Sequence, residues 1–421
     1  MQLVAYGAQD IYLTGNPQIT FFKVVYRRHT NFSMESIQQT WNGSVELGGR
    51  VTSTISRNGD LISRCYVTFS PFTVIKGTGA NPYCGHGLLK EVSVEIGGQL
   101  IDKHYGHWLT TWHELTSPNT GCTLPLVAAG GKFATGIPTG VAAGAEISVP
   151  PTAAQREAFY CKCTGAAPTE HYASVPLQFW FCRNPGLALP LIALQYHEVK
   201  IIVQIGDGLD VGPSSTAKDG NMALWVDYIY LDTDERRRFA QVSHEYLIEQ
   251  LQYQNTSSDT SMKLNFNHPV KEIIWAKAKA WGSASINGGG QCLDRMENDD
   301  ADFINQADSV CKINLKLNGH DRFAPRHTGY FTRTQVAAHH TGNGGVQKGD
   351  SIHVYSFALK PEEHQPSGTC NFSRIDNAQL IYTNKPTDGG SSTTSCNIHI
   401  YAVNYNVLRI MSGMGGLAYS N

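Results

Sequence analysis

The stretch that decides the fold is FWFCRNPGLALPLIALQYHEVKIIVQI, residues 179–205. An apolar run over residues 175–181 predicts a buried strand, and Asn184-Pro185-Gly186 then breaks the chain. A short apolar segment, residues 187–194, follows the break. Residues 198–205 are rich in β-branched side chains and predict a second strand. Strand, break, short segment and strand form one supersecondary unit.

The same unit returns near the C-terminus. Residues 352–359 predict a strand, Gln365-Pro366-Ser367-Gly368 a break, residues 371–377 a short turn or helix, and residues 378–382 the next strand. Two further pairs of segments repeat in the same order. Residues 92–98 resemble residues 312–319, and each segment leads through a Gly-containing hairpin turn to an acid–base pair. Residues 224–231 resemble residues 397–403, and each is followed by an Arg-bearing polar segment. This shared order predicts that the chain is an internal duplication.

Each half offers about eight short strands, separated by turn signals at the spacing of an all-β protein. The strongest hairpin signal is Asn58-Gly59 between two alternating strands, and Asn42-Gly43 is another. Eight strands with long loops favour a jelly roll over the competing geometry, a sandwich of immunoglobulin type. We therefore expect an all-β protein of two consecutive eight-stranded jelly rolls, a double jelly roll, with long loops and short helices.

Local signals suggest where the chain divides. Asp232, three residues before Glu235, is a capping-box pattern that predicts a short helix over residues 235–241. The expected segments are an N-terminal arm (1–19), a first jelly roll (20–232), a linker helix (233–242) and a second jelly roll with a C-terminal tail (243–421). Other expected elements are strands at 19–26, 34–41 and 330–335, a helix at 104–115, and long loops at 116–172 and 282–308.

Composition limits the function classes. The net charge is −2 and 16% of residues are charged, which argues against a protein that mainly neutralises nucleic-acid phosphates. The basic clusters Arg27-Arg28 and Arg236-Arg237-Arg238 are short, and we interpret them as solvated or interface charge. The N-terminus lacks the basic and apolar regions of a signal peptide, and no run reaches the ~18 apolar residues of a membrane helix. The ten Cys are therefore expected to be free thiols.

We expect no catalytic, cofactor or metal site. The candidate metal ligands lack a carboxylate or Cys partner at ligand spacing; they are His104, His107 and His113, Cys161 and Cys163, and His339 and His340. Residues 413–418 mimic a GxGxxA fingerprint but lie too near the chain end for a dinucleotide fold, so a flexible tail that meets a neighbour is favoured. Asp102-Lys103-His104 and Asp321-Arg322 follow equivalent hairpin turns, which favours structural ion pairs over acid–base catalysis.

Four tripeptides match the N-glycosylation pattern N-x-[ST]. They begin at Asn31, Asn42, Asn255 and Asn371. A chain of this length carries one or two by chance, and no secretion signal accompanies them. They are candidate glycosylation sites on this pattern alone.

Long blocks of the chain are similar to one known family. The blocks are residues 7–32 (GAQDIYLTGNPQITFFKVVYRRHTNF), 57–62, 95–104, 185–200 (PGLALPLIALQYHEVK), 225–233, 244–252, 264–276, 365–378 (QPSGTCNFSRIDNA) and 404–419 (NYNVLRIMSGMGGLAY). In this order, and over nearly the whole chain, they resemble the major capsid proteins of nucleo-cytoplasmic large DNA viruses, most closely those of the chlorella viruses.

The resemblance implies a fold and a role. Members of the family are double jelly rolls, and three copies form a pseudo-hexagonal capsomer that tiles an icosahedral shell over an internal membrane. The resemblance implies a non-enzymatic protein of the virion, made and assembled in the host cytoplasm. Its expected partners are two further copies in a homotrimer, neighbouring capsomers, minor capsid proteins and glycans on outer loops. Residues 116–172 and 282–308 depart from the family pattern, so glycan positions and host contacts do not carry over.

Two rival functions share the fold. A cupin-like or carbohydrate-active enzyme needs His and carboxylate side chains clustered inside one barrel, and the sequence shows none at suitable spacing. A lectin or receptor-binding module needs no such cluster. Assembly into hexagonal arrays would separate a shell protein from that module.

Overall fold

The computed structural model of the protein describes residues 31–74, 84–116, 169–206, 221–257, 259–279, 292–294, 312–342, 352–383, 387–388, 391–395 and 397–419. The expected arm (1–19), the strand at 19–26 and most of the loops at 116–172 and 282–308 lie outside these residues. Helices in the described part are short: α1 (Cys84–Leu88), α2 (Gly106–Thr116), α3 (Trp180–Arg183), α4 (Thr233–Gln241) and α5 (Gln335–His339), with 3₁₀ turns at Pro185–Leu187 and Phe372–Arg374 and a π-helical turn at Tyr330–Thr334.

Eight strands of the first half form two sheets. They are β1 (Phe32–Gln39), β2 (Arg50–Thr54), β3 (Leu61–Val74), β4 (Leu89–Ile96), β5 (Gln99–Tyr105), β6 (Thr169–Pro176), β7 (Val199–Ile205) and β8 (Asn221–Leu231). One sheet has the order β1-β8-β3-β6 and the other the order β2-β7-β4-β5, and all pairs are antiparallel. Consecutive strands alternate between the sheets except at β4–β5, which is the connectivity of a jelly roll.

The second half repeats this connectivity. Its strands are β9 (His244–Ser257), β10 (Ser261–Leu264), β11 (Pro269–Lys279), β12 (Lys312–Leu317), β13 (His320–Asp321), β14 (Ile352–Ser356), β15 (Ala378–Tyr382) and β16 (Asn397–Met411). One sheet runs β9-β16-β11-β14 and the other β10-β15-β12-β13. The predicted duplication and double jelly roll are confirmed. Short extra strands lie at Leu189–Pro190, Cys292–Asp294, Arg326–His327, Cys370–Asn371, Thr387–Asp388, Ser391–Ser395 and Met414–Leu417.

Two equivalent hairpins explain one of the sequence repeats. Gly97 and Gly98 connect β4 to β5 with φ of +59° and +82°, and Asn318 and Gly319 connect β12 to β13 with φ of +51° and +80°. Two successive residues at positive φ form the tight turn whose twist matches that of the flanking strands, and Gly and Asn adopt this conformation at low cost. The repeat therefore reflects one hairpin built twice.

The strongest hairpin signal, Asn58-Gly59, was wrong about pairing. The turn is present, but β2 and β3 belong to opposite sheets. A Cβ at Gly59 would lie 2.8 Å from Tyr228 Cβ, and the neighbouring Asp60 carboxylate accepts a hydrogen bond from Leu231 N at 2.8 Å. The turn is fixed by contacts with the end of β8, which local sequence cannot reveal. At Asn42-Gly43 the signal is right in part: β1 and β2 lie in different sheets, but Asn42 itself pairs antiparallel with Thr52 of β2.

Three other expectations were wrong in part. The strand expected at 175–181 ends at Pro176, and α3 begins at Trp180. Residues 179–181 are all buried; a helical turn allows this, whereas a strand would turn alternate side chains to opposite faces. Residues 330–335 are helical because packing of the buried Phe331 against Trp275 overrides the β preference of the segment. The expected flexible tail forms a strand, Met414–Leu417, paired with β16.

The ends of the two sandwiches differ in their connections. Antiparallel pairing and an alternating chain direction place the connections after β1, β3, β5 and β7 at one end, and the connections after β2, β4 and β6 at the other. The long stretches 75–88, 106–168 and 206–220 all leave from the first end. At the second end, the turns at 55–60 and 97–98 are short, whereas residues 177–198, which include α3, form a longer connection. In the second half, the longest connections, residues 280–311 and 322–351, also leave from the first end, and the second end has two short turns, 265–268 and 318–319, and a longer connection, 357–377.

A Gly59→Ala substitution tests the corner at β8. We expect it to lower the free energy of unfolding by about 1–3 kcal/mol. The added methyl group would collide with Cβ and the near edge of the ring of Tyr228, and these atoms lie too close to the backbone to move away easily. Gly416→Ala is the matched control, since its Cβ would meet only the flexible end of Gln99, at 3.2 Å. Urea unfolding of both variants measures the difference, and equal midpoints would contradict this account of the turn.

Candidate functional site, the interface between the two sandwiches

The two jelly rolls are joined by one continuous core. A single cluster of buried apolar side chains contains residues of both halves, among them Trp108 and Val203 from the first and Ile274, Tyr401 and Leu408 from the second. A separate cluster lies within the second sandwich. Because apolar burial is the main favourable contribution to packing, the shared cluster makes the interface part of the folded core.

Strands β5 and β9 contact each other across this interface. The side-chain amide of Gln250 donates a hydrogen bond to the Ile101 carbonyl. The N–H of Leu251 donates to one carboxylate oxygen of Asp102 at 3.1 Å, and the other oxygen lies 2.9 Å from His104 Nε2. Asp102 and His104 are buried. The expected acid–base pair of the first half therefore lies at the interface, where it binds the backbone of the second half.

Its counterpart in the second half has other surroundings. Asp321 is exposed, accepts a hydrogen bond from Asn314 at 2.7 Å and lies 3.6 Å from Lys316 Nζ. Lys103 likewise pairs with Glu91, at 2.6 Å, rather than with Asp102. The recurrence marks the same hairpin, but only β5 lies beside the other sandwich, so the two acids have different roles.

Aromatic and His side chains form the centre of the interface. His107 Nδ1 lies 3.0 Å from the Tyr401 hydroxyl, and His399 Nδ1 lies 3.0 Å from the Tyr253 hydroxyl. The rings of His107 and His399 are 4.7 Å apart, and those of Tyr105 and Tyr253 are 4.3 Å apart. Burial lowers the pKa of His399 to about 4 and raises the pKa of Tyr253. These two groups are therefore uncharged at neutral pH.

A buried ionic cluster adds a charged contact between the halves. The Glu249 carboxylate lies 3.0 Å from the Arg183 guanidinium of the first half and 2.7 Å from Lys271 Nζ. Burial alone would raise the pKa of Glu249, but Arg183, His364 and Lys271 together lower it to about 2. The Arg183 guanidinium also lies over the Trp112 ring, 5.1 Å from its centroid. Removing either partner would leave a poorly solvated charge.

A second buried cluster surrounds His340. Its Nε2 lies 3.0 Å from Glu272 and its Nδ1 lies 3.1 Å from Glu362. Burial lowers the pKa of His340, but the two carboxylates outweigh burial and raise it to about 9. The imidazole is therefore protonated at neutral pH, and its charge compensates two acids. The ring also meets the Trp112 ring edge-on at 6.4 Å, so this cluster borders the first half.

The C-terminal end of α2 is capped by the second half. Gly342 N–H donates a hydrogen bond to the Leu115 carbonyl at 2.6 Å, and the Thr341 hydroxyl donates to the Thr116 carbonyl at 2.9 Å. The last carbonyls of a helix have no partner within the helix. A Cβ at Gly342 would lie 2.2 Å from the Glu114 carbonyl oxygen. Only glycine permits this approach, so α2 is held between the two sandwiches.

The sequence-predicted candidates fall in several places. His104 lies in β5, His107 and His113 lie in α2, and His339 contacts the Leu359 carbonyl at 3.1 Å. Cys161 and Cys163 lie outside the described residues. Within the part of the chain that the structure describes, no three His, Cys, Asp or Glu side chains are grouped to hold a metal ion. In the same part, no helix is long and apolar enough to cross a membrane.

The remaining motifs are surface features in the described residues. Arg236 pairs with Asp60 at 2.9 Å and Arg238 with Glu235 at 3.6 Å, while Arg27-Arg28 lies outside the described residues. The GxGxxA-like segment contacts the first half, since His197 Nδ1 lies 3.0 Å from the Gly415 carbonyl oxygen. All four glycosylation candidates are exposed: Asn31, Asn42, Asn255 and Asn371.

Sequence reasoning missed the charged part of the interface. Arg183, Glu249, Lys271 and Glu272 were not singled out, and His340 was considered only as a metal ligand. The available signal was a charge inside an apolar strand, as in residues 270–277 (VKEIIWAK) and 246–251 (YLIEQL). Such charges are rarely buried unless they are paired, but the sequence does not identify the partner.

We expect Arg183→Met to destabilise the protein by about 3 kcal/mol, because it leaves Glu249 buried with one fewer cation. The matched control is Arg409→Met, which breaks an exposed pair with Glu245 of nearly the same length, 2.9 Å. That pair should contribute less than about 1 kcal/mol. Chemical unfolding of both variants measures the two costs; a control that loses as much as Arg183→Met would refute the role of burial.

The His340 cluster predicts a loss of stability in alkali. The folded-state pKa of about 9 exceeds the ordinary value of 6.5, so the stabilisation is complete below about pH 6.5 and disappears as the pH rises through 9. The shift corresponds to about 3 kcal/mol. His340→Gln should remove this slope, whereas His339→Gln, at the partly exposed neighbouring position, should retain it. Urea unfolding from about pH 6 to about pH 10 tests this, and parallel curves for wild type and His340→Gln would contradict it.

Comparisons with known proteins agree with this architecture. A family model for the N-terminus of the major capsid protein matches residues 20–232, and a model for the large eukaryotic DNA virus major capsid protein matches residues 235–416. The major capsid protein of Pyramimonas orientalis virus is 51% identical, covering 100% of this chain and 99% of its own length. That of Paramecium bursaria Chlorella virus 1 is 43% identical with the same coverage.

A solved structure extends the similarity to three dimensions. The quasi-atomic model of the PBCV-1 virus capsid superposes with a TM-score of 0.73 at 37% identity, covering 96% of this chain and 100% of the other. The resemblance inferred from the sequence blocks is thereby confirmed. The chain belongs to the family of large eukaryotic DNA virus major capsid proteins, and its role is that of a structural component of the viral capsid.

Proposed function

We propose that three copies of this chain form a pseudo-hexagonal capsomer, and that these capsomers tile an icosahedral capsid around an internal membrane. The observation that supports this best is the pair of jelly rolls joined through one apolar cluster. A rigid pair of similar sandwiches gives a trimer six similar units, and hence a near-sixfold outline that can tile a flat facet. We place the boundaries of the two jelly rolls at 20–232 and 243–421, with an arm (1–19) before them and a linker helix (233–242) between them.

The direction of the strands gives the unit two distinct ends. β5 and β9 run side by side in the same direction, since Ile101 contacts Gln250 and Tyr105 contacts Tyr253. The longest connections of both halves, residues 106–168, 280–311 and 322–351, therefore leave from the same end. We propose that this end faces outward and carries the host contacts and glycans, and that the opposite end faces the membrane and the minor capsid proteins.

The proposal assigns no catalysis, cofactor or sequence-specific nucleic-acid binding to the chain. The buried charges at the interface are paired with one another, as in the contacts of Glu249 and His340. Groups compensated in this way stabilise packing and offer little to a substrate. We further propose that the chain is made and assembled in the host cytoplasm. Metal analysis of the purified protein distinguishes this non-enzymatic role from that of a cupin-like enzyme, which requires stoichiometric metal.

The oligomeric state tests the proposal most directly. We expect purified protein at micromolar concentration in mild buffer to have three times the mass of one chain, because obligate interfaces commonly bury more than ~2,000 Å². Native mass spectrometry measures this, with a denatured sample as the control for the mass of one chain. The same spectra report any glycan, and Asn→Gln variants of Asn31, Asn42, Asn255 and Asn371 assign it. Electron micrographs should show hexagonal outlines; a strict monomer would contradict the proposal.

A further inference from the structure

A pocket on the first sandwich is lined by two cysteines. Its volume is about 320 Å³, and its walls include Cys65 and Cys182, together with Arg64, Gln178 and Asp227. Both cysteines are free thiols in the structure. Cys65 belongs to β3 and Cys182 to α3, so the two thiols come from elements far apart in the sequence.

The local backbone brings the two thiols together. Leu177 N donates a hydrogen bond to the Cys65 carbonyl at 2.9 Å, which holds the segment before α3 against β3. Cys182 N in turn donates to the Phe179 carbonyl at 2.9 Å, closing the turn that places the Cys182 side chain at the pocket. The Cys65 and Cys182 side chains thus line the same pocket.

The two cysteines differ in accessibility. Cys65 is 1% exposed, whereas Cys182 is only partly buried. The hydrogen bond to Cys182, followed by burial, raises the pKa of the Cys65 thiol. Cys65 therefore stays protonated at neutral pH, and thiols react with oxidants mainly as thiolates. Cys182 is the one that a solute entering the pocket meets first.

We propose that Cys65 and Cys182 are a redox-controlled pair, which stays reduced while the protein is made in a reducing compartment and forms a disulfide when the protein meets a peroxide outside it. The pair then acts as a covalent staple between β3 and α3. The pocket is the route by which the oxidant reaches the thiols.

The chemistry is balanced with hydrogen peroxide as the oxidant. The Cys182 sulfur attacks the peroxide O–O bond, which gives a sulfenic acid at Cys182 and one water. The Cys65 sulfur then displaces hydroxide from that sulfenic acid; the S–S bond forms, the S–O bond breaks, and the Cys65 proton leaves with the hydroxide as a second water. Two thiols are oxidised by two electrons in total, and one peroxide is reduced to two waters.

The staple would act on the interface between the sandwiches. Residue 183, the last of α3, is the Arg that pairs with Glu249 of the second half at 3.0 Å. Fixing α3 to β3 holds this Arg in place. The link also closes a loop of roughly 120 residues, which removes conformational freedom from the unfolded chain.

Peroxide treatment of the folded protein tests the proposal. Protein purified under reductant is exposed to a stoichiometric amount of hydrogen peroxide, quenched with a thiol-blocking reagent and digested without reduction. We expect mass spectrometry to find the peptides of Cys65 and Cys182 joined, two hydrogen atoms lighter than their sum. Wild type and the control Cys370→Ser, which removes a free cysteine of the second sandwich, should form the link. Cys65→Ser and Cys182→Ser should not.

Stability and exchange measurements give independent readouts. Oxidation should raise the melting temperature of wild type and Cys370→Ser by a few degrees and slow amide exchange over residues 177–183, and it should change neither in the two pocket variants. The proposal is overturned if the linked peptide is absent, if it forms only after denaturation, or if oxidation leaves the melting temperature of wild type unchanged or lowers it.

Discussion

Burial of charge between the two sandwiches is the constraint on which the rest of the structure depends. Glu249, Lys271 and Glu272 lie inside a core that also contains apolar residues of both halves, and Arg183 approaches from the first half. A buried charge is tolerated only when a partner compensates it. Separation of the halves would take Arg183 away from Glu249 and would expose the apolar cluster that both halves share. We therefore infer that the two jelly rolls fold and move as one unit.

Helix α2 shows how this constraint is met locally. One of its faces packs Trp108 and Trp112 into the shared core, and its last carbonyls are capped by residues 341–342 of the second half. The helix is too short to be stable on its own, because most helical stability in proteins comes from tertiary packing. It forms where both sandwiches are present to cover it. The helix predicted at 104–115 is therefore present at 106–116, and it packs between the two sandwiches.

Much of the fold was predictable because it depends on local chemistry. Alternating strands, positive-φ turns such as Gly97-Gly98, and the Asp232 cap of α4 follow from the conformational preferences of a few neighbouring residues. The duplication was predictable because similar sequence segments occur in the same order in the two halves. The change of sheet at Gly59 was not predictable. Asn58-Gly59 indicates a turn, but the sheet that the next strand joins depends on a contact with Tyr228, 169 positions along the chain.

The candidate site was harder to predict for the same reason. The sequence shows Glu249 as a charge inside an apolar strand but does not identify its partner, because only the fold brings Arg183 to it. The longest connections of both halves leave from the same end of the molecule. The entropic cost of closing a loop rises slowly with its length, so residues added beyond α2 in the connection 106–168 can lengthen that connection at little cost to the stability of the two sandwiches. The surface at that end can therefore vary in size among related chains while the two sandwiches and their shared core keep the same geometry.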